Sequence, residues 1–217
     1  MLRIALIDGD VAIRAGRRLM IDSQANLQLV YEESEALVAL EKIPELLVDV
    51  IVIDHRLQGL NGIELAQRLV DAFSEKGELC PTIIVTGSYA TPELVLAAIR
   101  SGASDVVTQD APLSELLTAI NNAAQARSLA NFADIQEILE SADYRPKPDP
   151  LFVLRISQLQ ETEKDLLQLV EDGSTFVEAK DELDLAEIDF QKLIEQVQIK
   201  LHMATTEQLL LALHDAR

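Results

Sequence analysis

Residues 50–65 read VIVIDHRLQGLNGIEL. Four β-branched residues in a row, with Asp49 before them and Asp54 after, predict a strand over 49–53 that is covered on both faces. A helical pattern follows over 62–75. The same unit recurs on either side. Strands are predicted at 2–7 (LRIALI), 27–31 (LQLVY, alternating as an edge strand does), 81–85 (PTIIV) and 105–108 (DVVT). Helices are predicted at 11–22, 34–47 with Ser34 as a cap, 91–100 with Thr91 as N-cap and Pro92 at the first helical position, and 112–127. Five strands alternating with five helices imply an α/β fold, a parallel sheet with helices on both faces. Ligands of such sheets bind at the carboxyl ends of the strands, near the topological switch point.

Beyond residue 127 the pattern changes. A short amphipathic helix is expected at 131–138, on Phe132, Ile135 and Ile138. Arg145-Pro146-Lys147-Pro148-Asp149-Pro150 then reads as an extended spacer, because three prolines in five residues cannot continue a helix. Residues 128–154 are thus a linker between a domain at 1–127 and a second one at 155–217. The second shows no strand signal apart from LFVL at 151–154, just ahead of it. Helices are expected at 161–171, 176–183, 187–201 and 206–214, a small all-α bundle.

Bulk composition narrows the function classes. Apolar types make up 48% of the 217 residues, enough for a core, and no apolar run is long enough to span a membrane. With no secretory leader pattern, a soluble cytoplasmic protein is expected. Cys80 is the single cysteine, so no internal disulfide forms, and its apolar setting predicts an inert buried thiol. His55, His202 and His214 show no ligand spacing. Arg14, Arg17 and Arg18 read as a solvated helix surface. Nothing resembles a P-loop, a zinc motif or a nucleophile–base pair, so no enzyme is predicted. The 18 Lys and Arg face 37 Asp and Glu, a formal net charge of −19. Such a surface repels polyanions and argues against membranes and wholesale nucleic-acid binding.

The strand ends carry the candidate chemistry. They stop at Asp8-Gly9-Asp10, Asp54, Thr86-Gly87-Ser88 and Thr108-Gln109-Asp110, all on one sheet edge. Converging carboxylates and a hydroxyl suit a divalent cation and a phosphoryl group.

Four stretches, LRIALIDGD, VIVIDHRLQGLNGIEL, TIIVTGSYA and AIRSGASDVVTQDAPLSEL, make residues 1–127 resemble the receiver domain of two-component response regulators, a flavodoxin-like fold. The resemblance implies that Asp54 is the phosphoacceptor position, Thr86 the switch hydroxyl, and Asp8 the first of a pair of acids that with Asp54 holds Mg²⁺. Other family positions are degenerate here. The second acid falls on Gly9, with Asp10 one step on; the phosphoryl-binding lysine falls on Gln109, the aromatic switch residue on Val106, and a proline on Gln58. An amide keeps a hydrogen bond but brings no charge. Phosphoryl transfer rests on positioning and charge stabilisation, so poor or absent phosphorylation of Asp54 is expected, with no cofactor required and Asp8 and Asp54 left as the candidate ligands of any Mg²⁺.

The stretch LQETEKDLLQLVEDGSTFVEAKDELDLAEIDFQKLIEQVQIKLHM resembles the helix-turn-helix output domain of LuxR/NarL-type regulators, through Glu163, Leu167, Gly173, Glu178, Leu183, Lys200 and Leu201. Its recognition helix would be 187–201, offering Gln191, Lys192 and Lys200. Yet residues 155–217 carry six basic and fourteen acidic side chains, without the basic footprint of a DNA binder. Leu209, Leu210, Leu211 and Leu213 are denser than one helical face needs, and fit either packing within the bundle or a dimer contact. The sequence thus predicts an atypical response regulator in signal transduction and transcription regulation. It would act independently of aspartyl phosphorylation, through a protein partner or a homodimer, with DNA disfavoured by charge. The alternatives are a conventional phosphorylation-activated DNA-binding regulator and an interaction adaptor that has lost DNA.

Overall fold

A computed structural model describes residues 1–125 and 149–216. Strands β1 (Leu2–Ile7), β2 (Leu27–Glu33), β3 (Val50–Asp54), β4 (Thr82–Gly87) and β5 (Ala103–Thr108) form one parallel sheet in the order β2-β1-β3-β4-β5. The predicted α/β architecture is present. Helices α1 (Val11–Asp22) and α5 (Leu113–Gln125) cover one face, over Ile4, Leu6, Val50, Val52 and Ile84. Helices α2 (Ala36–Lys42), α3 (Gly62–Glu75) and α4 (Pro92–Arg100) lie on the other side of the sheet, where Ala5, Ile7, Ile51, Ile53, Ile83 and Val85 form the second core layer. Alternate residues of each central strand thus enter opposite layers, which is why their sequences are apolar without a break. Thr91 caps α4 and Pro92 starts it, as expected.

Three local readings need correction. Ser34 does not cap the second helix: α2 begins after Glu35, and the Glu33 carboxylate instead accepts the Ser34 and Glu35 amides. That helix also stops short of residue 47, giving way to a 3₁₀ turn at Ile43–Glu45 around Pro44. Finally, LFVL at 151–154 is helical, within α6 (Pro150–Ser157). Asp149 caps this helix through its side chain and Pro150 supplies a preset φ at the first position, which outweighs the β-like composition. So the proline-rich stretch ends as a helix start rather than a spacer at Pro150. The helix expected at 131–138 lies outside the described residues.

Helices α7 (Glu161–Glu171), α8 (Phe176–Glu182), α9 (Glu187–Leu201) and α10 (Thr206–Asp215) complete the chain. Their shared core, on Phe152, Leu166, Phe190, Val197 and Leu209, also takes in Leu96 and Ile99 of α4. Leu209, Leu210, Leu211 and Leu213 are all buried within the chain, so packing accounts for them. Polar contacts close the same seam. Arg100 pairs with Asp215 at 3.2 Å, Gln208 donates to the Arg100 carbonyl at 2.8 Å, and the His202 ring meets Asp71 at 2.7 Å. Among the described residues no helix is long and apolar enough to cross a membrane.

Candidate functional site

The register brings Asp54 beside Thr86 across β3 and β4, and places Asp8 just past the end of β1 on the same edge. Gly62 allows this crowding. Its amide donates to the His55 carbonyl at 2.9 Å, and a Cβ there would lie 2.2 Å from the Asp54 carbonyl oxygen. The chain therefore folds back tightly after the strand, bringing α3 against the Asp54 loop.

Asp8 and Asp54 are both buried, and their oxygens are all engaged within the chain. Asp8 Oδ1 accepts the Asp10 amide at 2.8 Å, and Asp8 Oδ2 accepts Arg17 Nη1 at 2.6 Å. Asp54 Oδ1 accepts the Arg56 amide at 3.0 Å, and Oδ2 accepts Gln109 Nε2 at 3.0 Å. Gln109 is held in turn, its Oε1 accepting from Arg56 Nη2 at 2.7 Å and from Ser88 Oγ at 3.3 Å. Burial pushes the Asp8 carboxyl above its usual range, opposed by the Asp10 amide and the Arg17 charge. Burial pulls the Arg17 guanidinium down, opposed by Asp8 and by Asp54.

Arg17 overturns its predicted placement. It is 5% exposed, not solvated. The signal was present in the sequence, because Ile13, Arg17, Met20 and Ile21 follow the spacing of one helix face and Arg17 stands among its apolar members. Arg14 reaches inward as well, donating to the Asp8 carbonyl at 2.5 Å, while Arg18 pairs with Glu32 at the surface. The contacts of His55 and Arg56 were also missed, since loop residues carry no periodicity. The His55 ring Nδ1 lies 3.3 Å from the Thr86 carbonyl.

The remaining positions fall as follows. Asp10 does not reach the pocket: its carboxylate accepts the Ala12 and Ile13 amides and caps α1, which holds its own pKa low. Thr86 is buried, and its hydroxyl donates to the Ile53 carbonyl at 3.4 Å. Val106 is part-buried against the core, and Gln58 is exposed in the loop after β3. Gly9 is exposed, and a Cβ there would meet its nearest neighbours only at 4.0 Å, so packing does not demand glycine. Cys80 is buried, which pushes its thiol up and leaves it unreactive, as expected.

The family's Mg²⁺ does not fit these residues. Mg²⁺ needs an octahedral set of oxygens. Here one acid is replaced by Gly9, and each oxygen of the two remaining carboxylates already accepts an internal hydrogen bond, one of them from the Arg17 guanidinium. Among the described residues no group of three or more His, Cys, Asp or Glu side chains is arranged to hold a metal ion.

In the C-terminal part, α8, a turn through Asp184 at φ 51°, and α9 form a helix-turn-helix. The Glu178 carboxylate closes a capping box on Thr175. Glu163 is buried, accepting the Gln160 amide at 2.8 Å and Lys200 Nζ at 2.5 Å. Lys200 thus ties α9 to α7. Lys192 lies 3.8 Å from Asp189, and Lys180 bonds Glu187 at 3.1 Å. Gln191 lines a cavity of about 420 Å³ that α9 and α10 share with β4, β5 and α5.

Comparison with known proteins agrees with this architecture. The response regulator receiver domain family matches residues 4–121. The DNA-binding transcriptional activator DevR/DosR of Mycobacterium tuberculosis is 30% identical over 209 residues, spanning 96% of this chain and 92% of that protein. The transcriptional regulatory protein LiaR of Bacillus subtilis is 25% identical over 183 residues, covering 84% of this chain and 82% of that protein. The RcsB response regulator of Salmonella typhimurium shares the fold, with a TM-score of 0.54 at 17% identity over 97% of this chain and 96% of that one. The chain belongs to the two-component response regulators, of the transcriptional-regulator type with a LuxR/NarL-type output domain.

Proposed function

We propose that this response regulator controls transcription in the cytoplasm without running on aspartyl phosphorylation, and that it is not an enzyme. Its state would be set by a protein partner or by a second copy of the chain acting on the α4–α10 seam. The observation that carries this reading is Gln109: its amide is bonded to Asp54 Oδ2, where the family resemblance puts a lysine. Asp54 Oδ2 is thereby held by a neutral amide, and a phosphoryl group there would find no positive side chain at residue 109. Each charge-assisted bond forgone costs roughly 1.5–3 kcal/mol. The roles of Asp54 as phosphoacceptor position and Thr86 as switch hydroxyl are then vestigial. The test is intact-mass measurement after treatment with a small-molecule phosphodonor and Mg²⁺. An unmodified mass is expected. A stoichiometric phosphoryl adduct that disappears in Asp54→Asn overturns the reading.

The second reading is a DNA-binding regulator. It is favoured by full-length likeness to a protein named a DNA-binding transcriptional activator, and by the helix-turn-helix at α8 and α9. In this reading Gln191, exposed on α9 beside the cavity shared with the receiver, is one of the side chains that would face DNA. Titration with genomic DNA fragments at low salt separates the readings. Retention of particular fragments supports DNA as a partner; uniform lack of binding supports an interaction adaptor.

A further inference from the structure

We infer that Arg17 is the resident cation of the acid pocket: its guanidinium supplies from within the chain the positive charge that a divalent ion supplies in the family. The inference rests on the reading of the pocket above but concerns its metal chemistry rather than its phosphorylation.

Three observations carry it. First, Arg17 Nη1 lies 2.6 Å from Asp8 Oδ2, both side chains are buried, and the remaining Asp8 oxygen is held by the Asp10 amide. A cation entering there would have to displace a charge-assisted bond and share the site with another positive group. Second, the missing acid at Gly9 is not a packing necessity, because a Cβ meets nothing closer than 4.0 Å. A carboxylate could stand there, so its absence matches a pocket whose charge is balanced by other means. Third, Arg17 sits on the apolar face of α1. Burying an ion pair there is costly to arrange and is weakly justified by stability alone. A role in orienting Asp8 and occupying its Oδ2 with a positive group gives it a function. Charge in the pocket is then fixed by sequence: one guanidinium beside Asp8, with no dependence on Mg²⁺ concentration.

The experiment measures Mn²⁺ binding to the full chain by electron paramagnetic resonance, as Mn²⁺ reports a Mg²⁺-type oxygen site. The wild-type protein is expected to show no saturable binding in the millimolar range. Arg17→Met is expected to tighten binding by roughly tenfold or more, an effect of the size metal sites show when a supporting contact changes. Asp8→Asn in the same background should abolish the gain. Because Arg17→Met leaves a buried carboxylate and could unfold, Gly9→Asp is measured alongside with Arg17 intact. With the resident cation in place, restoring the second acid alone should give little binding. Millimolar or tighter Mn²⁺ binding by the wild type, binding by Gly9→Asp that matches a folded Gly9→Asp/Arg17→Met, or a folded Arg17→Met that binds no better than wild type each overturns the assignment. The phosphodonor test runs separately, in Mg²⁺ and in chelator. A phosphoryl adduct formed equally in both would sink the phosphorylation-independent reading while leaving Arg17 as the cation.

Discussion

The acid pocket of the receiver and the exposed face of α9 use charge in opposite ways. In the pocket, Asp8 meets Arg17 and Asp54 meets Gln109, all within a buried or half-buried network. On α9, Lys192 and its partner Asp189 are both largely exposed, at 3.8 Å. Removing one member of a buried pair strands the other, at about 3–5 kcal/mol, whereas an exposed pair is worth about 0–1 kcal/mol. Pocket charges are thus locked, while the lysine on the outer face can be re-paired with an incoming partner at little cost. On the reading proposed above, modifying the pocket would have to break these buried bonds, whereas recognition through the helix surface would not. Net charge conceals this distinction, since residues 1–127 and 155–217 each carry −8.

The largest expected effect follows from the locked side. Arg17→Leu should lower the unfolding free energy by about 3–5 kcal/mol at neutral pH, measured by urea denaturation. The pH dependence has a definite sign. Asp8 already sits above its ordinary pKa through burial, and losing Arg17 raises it further. A group whose folded pKa is raised binds protons more readily in the native state, so its destabilising effect grows as pH rises through that value and fades as pH falls. The deficit of Arg17→Leu should therefore shrink toward acidic pH. Adding Asp8→Asn should restore much of it at neutral pH, and a purely additive double variant would show that the pair is not coupled.

Next in size is the seam between the two parts. Leu96 of α4 is buried in the core of the C-terminal helices. Leu96→Ala should cost about 2–5 kcal/mol, with the loss spread over both parts of the chain if they unfold together. Two separate unfolding transitions, only one of them shifted, would show that the seam does not couple them.

These expectations also mark what the residues alone disclosed. The sheet was legible because buried parallel strands are apolar without interruption, and the capping signal at Thr91 worked because it acts within four residues. The degenerate positions Gly9, Gln109, Val106 and Gln58 were legible as identities. What replaced them was not. Nothing in the chain's order says that Gln109 turns its amide onto Asp54 while Arg56, 53 residues earlier, holds the other end. Arg17 was misread because three arginines within five residues look like a wet surface, although its helical phase put it among Ile13, Met20 and Ile21. Lys200 was read as a candidate groove-facing residue, yet its partner Glu163 lies on a different helix and is buried.

The last two lysines of α9 set the smallest and sharpest contrast. Lys200 Nζ lies 2.5 Å from a buried carboxylate that also closes the N-terminus of α7. Lys200→Ala should cost about 1–3 kcal/mol, the range for leaving a buried polar group short of a partner. Lys192, eight residues earlier on the same helix, should show a change within about 0.5 kcal/mol as alanine, because its carboxylate partner stays in water. The two also separate stability from recognition. If α9 contacts DNA, Lys192→Ala should reduce the salt slope of binding by about one counterion without touching stability. Lys200→Ala should do the reverse, lowering stability while leaving the salt slope unchanged, because its ammonium is committed to Glu163. A salt slope that falls equally in both variants would mean that Lys200 leaves its buried partner for a phosphate, and that the C-terminal helices are less fixed than the pocket in the other half of the chain.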